Sequence, residues 1–111
     1  MTQKPDPQAL IVLTTWPDQQ QAEQMAEKMI TAKLAACVNI GSACQSVYEW
    51  ENKIEMQTEV PLHIKTKQHC YAKIEALILE MHPYELPDII VLNVHGGLNR
   101  YLQWLNKQLS Q

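Results

Sequence analysis

No phenylalanine occurs among the 111 residues, so the large aromatic side chains are three tryptophans and four tyrosines, each with a polar atom. Rings of that kind settle at interfaces and at the rims of sites. Cysteine is scarce: Cys37, Cys44 and Cys70 are an odd number and form no C-x-x-C clip, which fits reduced thiols in a cytoplasm rather than a disulfide framework. Long apolar runs are missing. The longest, Leu10 to Leu13 and Ile89 to Leu92, fall far short of the roughly 20 residues that span a bilayer. The polar start, Met1 to Pro7 with its two prolines, gives no signal for cleaved export. Basic residues are the minority, nine Lys and Arg against twelve Asp and Glu for a net charge of -3, and they gather nowhere. A phosphate backbone would need such a cluster, so nucleic acid is not an expected partner, nor is a membrane. Also absent are H-E-x-x-H, G-x-S-x-G and the glycine-rich phosphate loops.

What is present is ordinary globular usage, 46% hydrophobic and 19% charged, enough for one core. A flexible tail over residues 1–8 and a single domain over 9–111 follow. Ala9 to Trp16 is a β-branched, apolar run suited to a buried strand. Asp18, with Gln21 three residues on, signals a capped helix. Its stripe takes Ala22, Met25, Ala26, Met29, Ile30 and Leu34. Ala36, Val38 and Ile40 then alternate as a strand, Gly41-Ser42-Ala43 interrupts, and Gln45 to Trp50 resumes it. Glu51-Asn52-Lys53 reverses the chain. The return strand sets Ile54, Met56, Thr58, Val60, Leu62 and Ile64 toward the core and Glu59, His63 and Lys65 on the other face. Pro61 implies an edge or a bulge. A second helix carries Cys70, Ile74, Leu77, Ile78 and Met81 until Pro83 stops it. Ile89 to Val94 is the last strand, and a final helix presents Leu98, Tyr101, Leu102, Leu105 and Leu109.

The order β-α-β-β-α-β with an extra C-terminal helix gives the class: α+β, a ferredoxin-like sandwich with a long hairpin between its second and third strands. Helices cover one sheet face. The other face and the outrunning hairpin, which exposes Tyr48 and Trp50, call for symmetric assembly. Single residues are ambiguous by themselves. His82 closes a helix whose C-terminal dipole favours imidazolium, and it reads equally as a cap or as a ligand. Cys37 reads as a small buried hydrophobe or a soft ligand. His63 has Glu59 and Lys65 on its side of the strand, and Met81 lies on an apolar stripe.

Three segments taken together resemble the CutA family of divalent-cation tolerance proteins: Lys33-Leu34-Ala35-Ala36-Cys37-Val38-Asn39; Tyr48-Glu49-Trp50 with Glu59 and Lys65-Thr66; and His82-Pro83-Tyr84-Glu85-Leu86-Pro87 with Tyr101-Leu102-Gln103-Trp104. The resemblance spans roughly Ala9 to Asn106. It implies a cytoplasmic, non-enzymatic homotrimer with a cleft between subunits, as in the nitrogen-regulatory PII proteins. It further implies cleft residues Cys37, Tyr48, Trp50, Glu59, Lys65, His82, Tyr84, Tyr101 and Trp104, to which the strand pattern adds His63. A bound divalent ion, copper or zinc, is implied as an optional cofactor. Copper-binding members carry a cysteine at the position of Thr14 and adjacent histidines at Met81 and His82, so His82 is the one good ligand here. Imidazole suits copper and zinc, whereas a hydroxyl is poor and a thioether serves Cu(I). Two alternatives accompany the leading reading of metal tolerance: a PII-like sensor that holds a small anion through Lys65, and an enzyme built on Cys37 or His82.

Overall fold

The computed structural model describes residues 8–109, so most of the tail assigned to residues 1–8, and the last two residues of the domain, lie outside the described residues. Among the described residues, five strands form one antiparallel sheet: β1 (Ala9–Trp16), β2 (Cys37–Ile40), β3 (Cys44–Trp50), β4 (Lys53–Lys67) and β5 (Ile89–Asn93). The order is β2-β4-β1-β5, with β3 also paired to β4. Helices α1 (Gln19–Thr31), α2 (Gln68–Met81) and α3 (Asn99–Gln108) complete the ferredoxin-like arrangement. Where one interrupted strand is expected from the sequence, β2 and β3 are distinct. Their pairs with β4 run from Ile40↔Leu62 to Cys44↔Glu59, four steps on one chain against three on the other. That extra residue is a bulge, and Pro61 lies opposite it. Gly41 donates its N–H to the Pro61 carbonyl at 2.9 Å, which turns the donor-less proline nitrogen toward the same broken stretch, where no ladder bond is lost.

The core lies between the sheet and its helices. Val12, Trp16, Ala22, Met25, Met29, Val60, Leu62, Ile64, Cys70, Ile74 and Ile78 are buried there, with Leu105 and Leu109 from the C-terminal end. Asp18 caps α1 by accepting the Gln21 N–H at 2.8 Å. The Gln21 side chain returns to the second carboxylate oxygen at 2.9 Å, not to the backbone N–H of a strict capping box. The helix ends in a Schellman turn: Lys33 N–H reaches the Ile30 carbonyl, Leu34 N–H reaches that of Met29, and Lys33 takes φ 61°. A left-handed lysine costs about 1–2 kcal/mol, and in return Leu34 is delivered into the core.

Three expectations from periodicity are corrected. Ile30, placed on the buried stripe of α1, is 42% exposed, and Leu34 is buried from beyond the helix end. Leu98 precedes α3 and is 66% exposed. On β4 only Val60, Leu62 and Ile64 of the alternating set reach the core, while Ile54 and Met56 are 71% and 67% exposed. The reason is length. β4 has 15 residues, about 50 Å at 3.3 Å each, and its first half runs past the helices paired only with β3. Glu51 and Asn52, at φ 52° and 66°, form the two-residue turn that matches strand twist. The molecule measures 52 × 27 × 23 Å, with a radius of gyration of 15.1 Å, against about 13 Å for a compact domain of this length.

Candidate functional site

His82 is the C-cap of α2, donating its backbone N–H to the Ile78 carbonyl at 2.8 Å. Its ring is buried and held on both nitrogens: Nε2 lies 2.7 Å from the Thr15 carbonyl, and Tyr84 donates its backbone N–H to Nδ1 at 3.2 Å. A carbonyl only accepts and a backbone N–H only donates, so the partners fit the neutral tautomer with its proton on Nε2. An imidazolium, the form favoured by the helix dipole alone, would set two N–H groups against each other at Nδ1. Trp16 and Tyr84 flank the ring, with centroids 4.3 and 4.6 Å away.

The expected metal set is poorly arranged around this ring. Thr14 is 1% exposed, its side chain faces the core, and its hydroxyl has no hydrogen-bond partner among the described residues. Met81 packs partly buried against the core. With both imidazole nitrogens committed, a thioether tied into packing and a hydroxyl sealed inside, Thr14, Met81 and His82 do not fit a Cu(II) site. Among the described residues, no three His, Cys, Asp or Glu come together as a metal-holding group.

The expected cleft residues separate into two groups. Tyr48, Trp50, Glu59 and Tyr84 line one cavity of about 520 Å³, between the β3–β4 hairpin and the loop that follows His82. Cross-strand pairing explains the first three. Tyr48↔Glu55 and Cys44↔Glu59 put Tyr48, Trp50 and Glu59 on the sheet face opposite Val60, Leu62 and Ile64, which face the core. Glu59 is 5% exposed and accepts a hydrogen bond from the Tyr84 hydroxyl. Burial, then that bond and the Glu59 charge, push the Tyr84 pKa up to about 12. Lys65, Tyr101 and Trp104 form the second group, away from that lining. Lys65 Nζ is 3.5 Å from the Tyr101 hydroxyl and 5.5 Å from its ring centroid, and Tyr101 stacks obliquely on Trp104 at 5.5 Å. Cys37 sits across the ladder from Lys65, half-buried. His63 is exposed between Asn39 and Leu13 and joins neither group.

The cavity adds residues that the sequence reading passed over: Thr15, Ser46, Gln57, Glu85, Leu86 and Asp88. Ser46 and Gln57 were recoverable, since each lies two positions from a chosen residue on the same strand face. Glu85 and Leu86 stand in a segment that carries the family resemblance, but alternation does not reach them, because they lie between α2 and β5.

Comparison with known proteins follows the same outline. Residues 10–108 match the family model described as CutA1 divalent ion tolerance protein. The divalent-cation tolerance protein CutA of Pectobacterium atrosepticum is 37% identical over 109 residues, 98% of this chain and 99% of that protein. Its counterpart from Citrobacter koseri is 41% identical over 104 residues, covering 93% and 90%. The crystal structure of CutA1 from the psychrotrophic bacterium Shewanella sp. SIB1 superposes with a TM-score of 0.92 at 42% identity, covering 96% of this chain and 99% of that one.

Proposed function

The chain belongs to the CutA1 family of divalent-ion tolerance proteins, and from that premise we propose that it is a cytoplasmic, non-enzymatic homotrimer that binds divalent cations of the copper or zinc type and contributes to tolerance of them. The observation that carries the assembly is the hairpin. Val47, Ile54 and Met56 are 61%, 71% and 67% exposed on one flank, beyond the reach of the molecule's own helices, and a continuous apolar ribbon of this kind calls for a neighbouring copy. The mismatch at Thr14, Met81 and His82 speaks against that trio as the cation's ligands. Calorimetric titration with Cu(II) and Zn(II), run with a chelator control, tests this. Saturable binding that chelator reverses and that His82→Ala leaves unchanged is expected, because that ring has no free nitrogen to offer. Absence of saturable binding of either ion would sink the cation reading, and loss of Cu(II) binding in His82→Ala would return the site to His82.

A second reading has its own observation. The cavity at Tyr48, Trp50, Glu59 and Tyr84 has the volume of a small-molecule site rather than that of a bare ion, which favours a PII-like sensor of a small ligand. Lys65, to which the sequence assigns a bound anion, is turned to Tyr101 instead.

A further inference from the structure

The lining of that cavity has one sign of charge. Glu59, Glu85 and Asp88 contribute carboxylates, Tyr48, Trp50 and Tyr84 contribute rings, and no lysine, arginine or histidine belongs to it. Glu59 is the informative member. A carboxylate that is 5% exposed is ordinarily matched by a cation or by several donors. Among the described residues the donor set against it is the Tyr84 hydroxyl, and two carboxylate oxygens offer about four acceptor positions. Acceptor capacity is left over, and the cavity adjoins it. A metal ion is not the natural occupant, because these carboxylates do not converge as a metal-holding group, and rings with Leu86 beside them would leave much of a hydrated ion's shell unmatched. Carbon chains or methyl groups bearing positive charge match all three features: negative charge at separated points, aromatic rings that attract cations, and apolar surface.

We propose that the cleft between the β3–β4 hairpin and the 82–88 loop binds an organic ammonium ion, an amine or polyamine whose charge is met by Glu59 and, at the rim, by Glu85 and Asp88, with Tyr48 and Trp50 against its carbon frame. The proposal rests on the reading of this cleft as a small-molecule site and reverses the sign of ligand that Lys65 suggested.

The test uses the full chain, with spermidine and tetramethylammonium as probes and inorganic phosphate and Mg(II) as controls, read by calorimetry and by thermal shift. Saturable binding of at least one ammonium probe, accompanied by a rise in Tm and weakened by added salt, is expected. Glu59→Gln should weaken that binding by about tenfold or more, and Asp88→Asn, at the exposed rim, by a few-fold. If Glu59→Gln does not fold, Tyr48→Ala and Asp88→Asn carry the same test. Equal binding by the parent and these variants overturns the proposal. Phosphate binding in place of the ammonium probes also overturns it, but leaves the small-molecule reading standing. Silence from every probe ends both. If the diluted monomer binds and the assembled protein does not, a neighbouring copy is the occupant and the proposal fails.

Discussion

Two glutamates on the hairpin flank should separate the copies without unfolding them. In Ile54→Glu with Met56→Glu, the replaced side chains are 71% and 67% exposed in the isolated chain, so the fold of that chain loses little packing. Complete burial of an aliphatic side chain is worth about 1.5–3 kcal/mol. Covering what Ile54 and Met56 leave exposed would therefore stabilise each interface by about 2–4 kcal/mol, or about 30-fold to 1000-fold in association. Burying two unpaired carboxylates there adds a further penalty. Light scattering coupled to size exclusion at micromolar concentration is the assay, with far-UV circular dichroism as the control for folding. The parent should run at three times its 12.8 kDa, and the variant should shift to monomer with an unchanged spectrum. A parent that runs as a monomer, or a double variant that stays trimeric, would refute the reasoning. Trp50, which stands out in the sequence, is the weaker probe: it is 39% exposed and lines the cleft on the opposite flank.

Tyr84 supplies a pH test. Its raised pKa favours the neutral phenol in the folded state, so its contribution to stability is fully present below pH 10 and is lost as pH rises from there toward about 12. Absorbance titration of the phenolates should show Tyr84 ionising late. Glu59→Gln should bring that midpoint down, and an unmoved midpoint would mean that the Glu59 charge is not what Tyr84 feels. Gly41→Ala tests the bulge: a Cβ there would meet Pro61 Cγ at 2.8 Å, so a drop in Tm corresponding to about 1–3 kcal/mol of overpacking is expected. A drop rescued by Pro61→Val would place the clash at that ring, and an unchanged Tm would show that the bulge absorbs a side chain freely.

Strand and helix order could be read from the residues because each element here obeys its own period. Ala22, Met25, Ala26 and Met29 repeat at helical spacing and are buried together, and Val60, Leu62 and Ile64 alternate and are buried together. The errors arose where the period continued but the partner layer did not. Ile54 and Met56 keep the alternation of β4 past the point where the helices stop, and a sequence pattern records which face a side chain takes, not how far the covering layer extends. Leu34 is buried as expected, but from beyond the helix end, through a left-handed turn at a lysine where glycine is the usual signal.

The site shows a similar division between what alternation encodes and what only packing decides. Tyr48, Trp50 and Glu59 come to one face because the ladder register puts them there, and a sequence can reveal that. Whether Lys65 joins them depends on distance along the strand and on what waits at each end. Six residues separate Glu59 from Lys65, about 20 Å of extended chain, so two side chains on one face of β4 can serve different surroundings: Glu59 the Tyr84 loop, Lys65 the Tyr101 side of α3. A charged pair that looks like one ligand-binding set in the sequence is thus divided by the length of its own strand. The acidic half keeps the cavity, and it is on that half that the chemistry of a bound ligand depends.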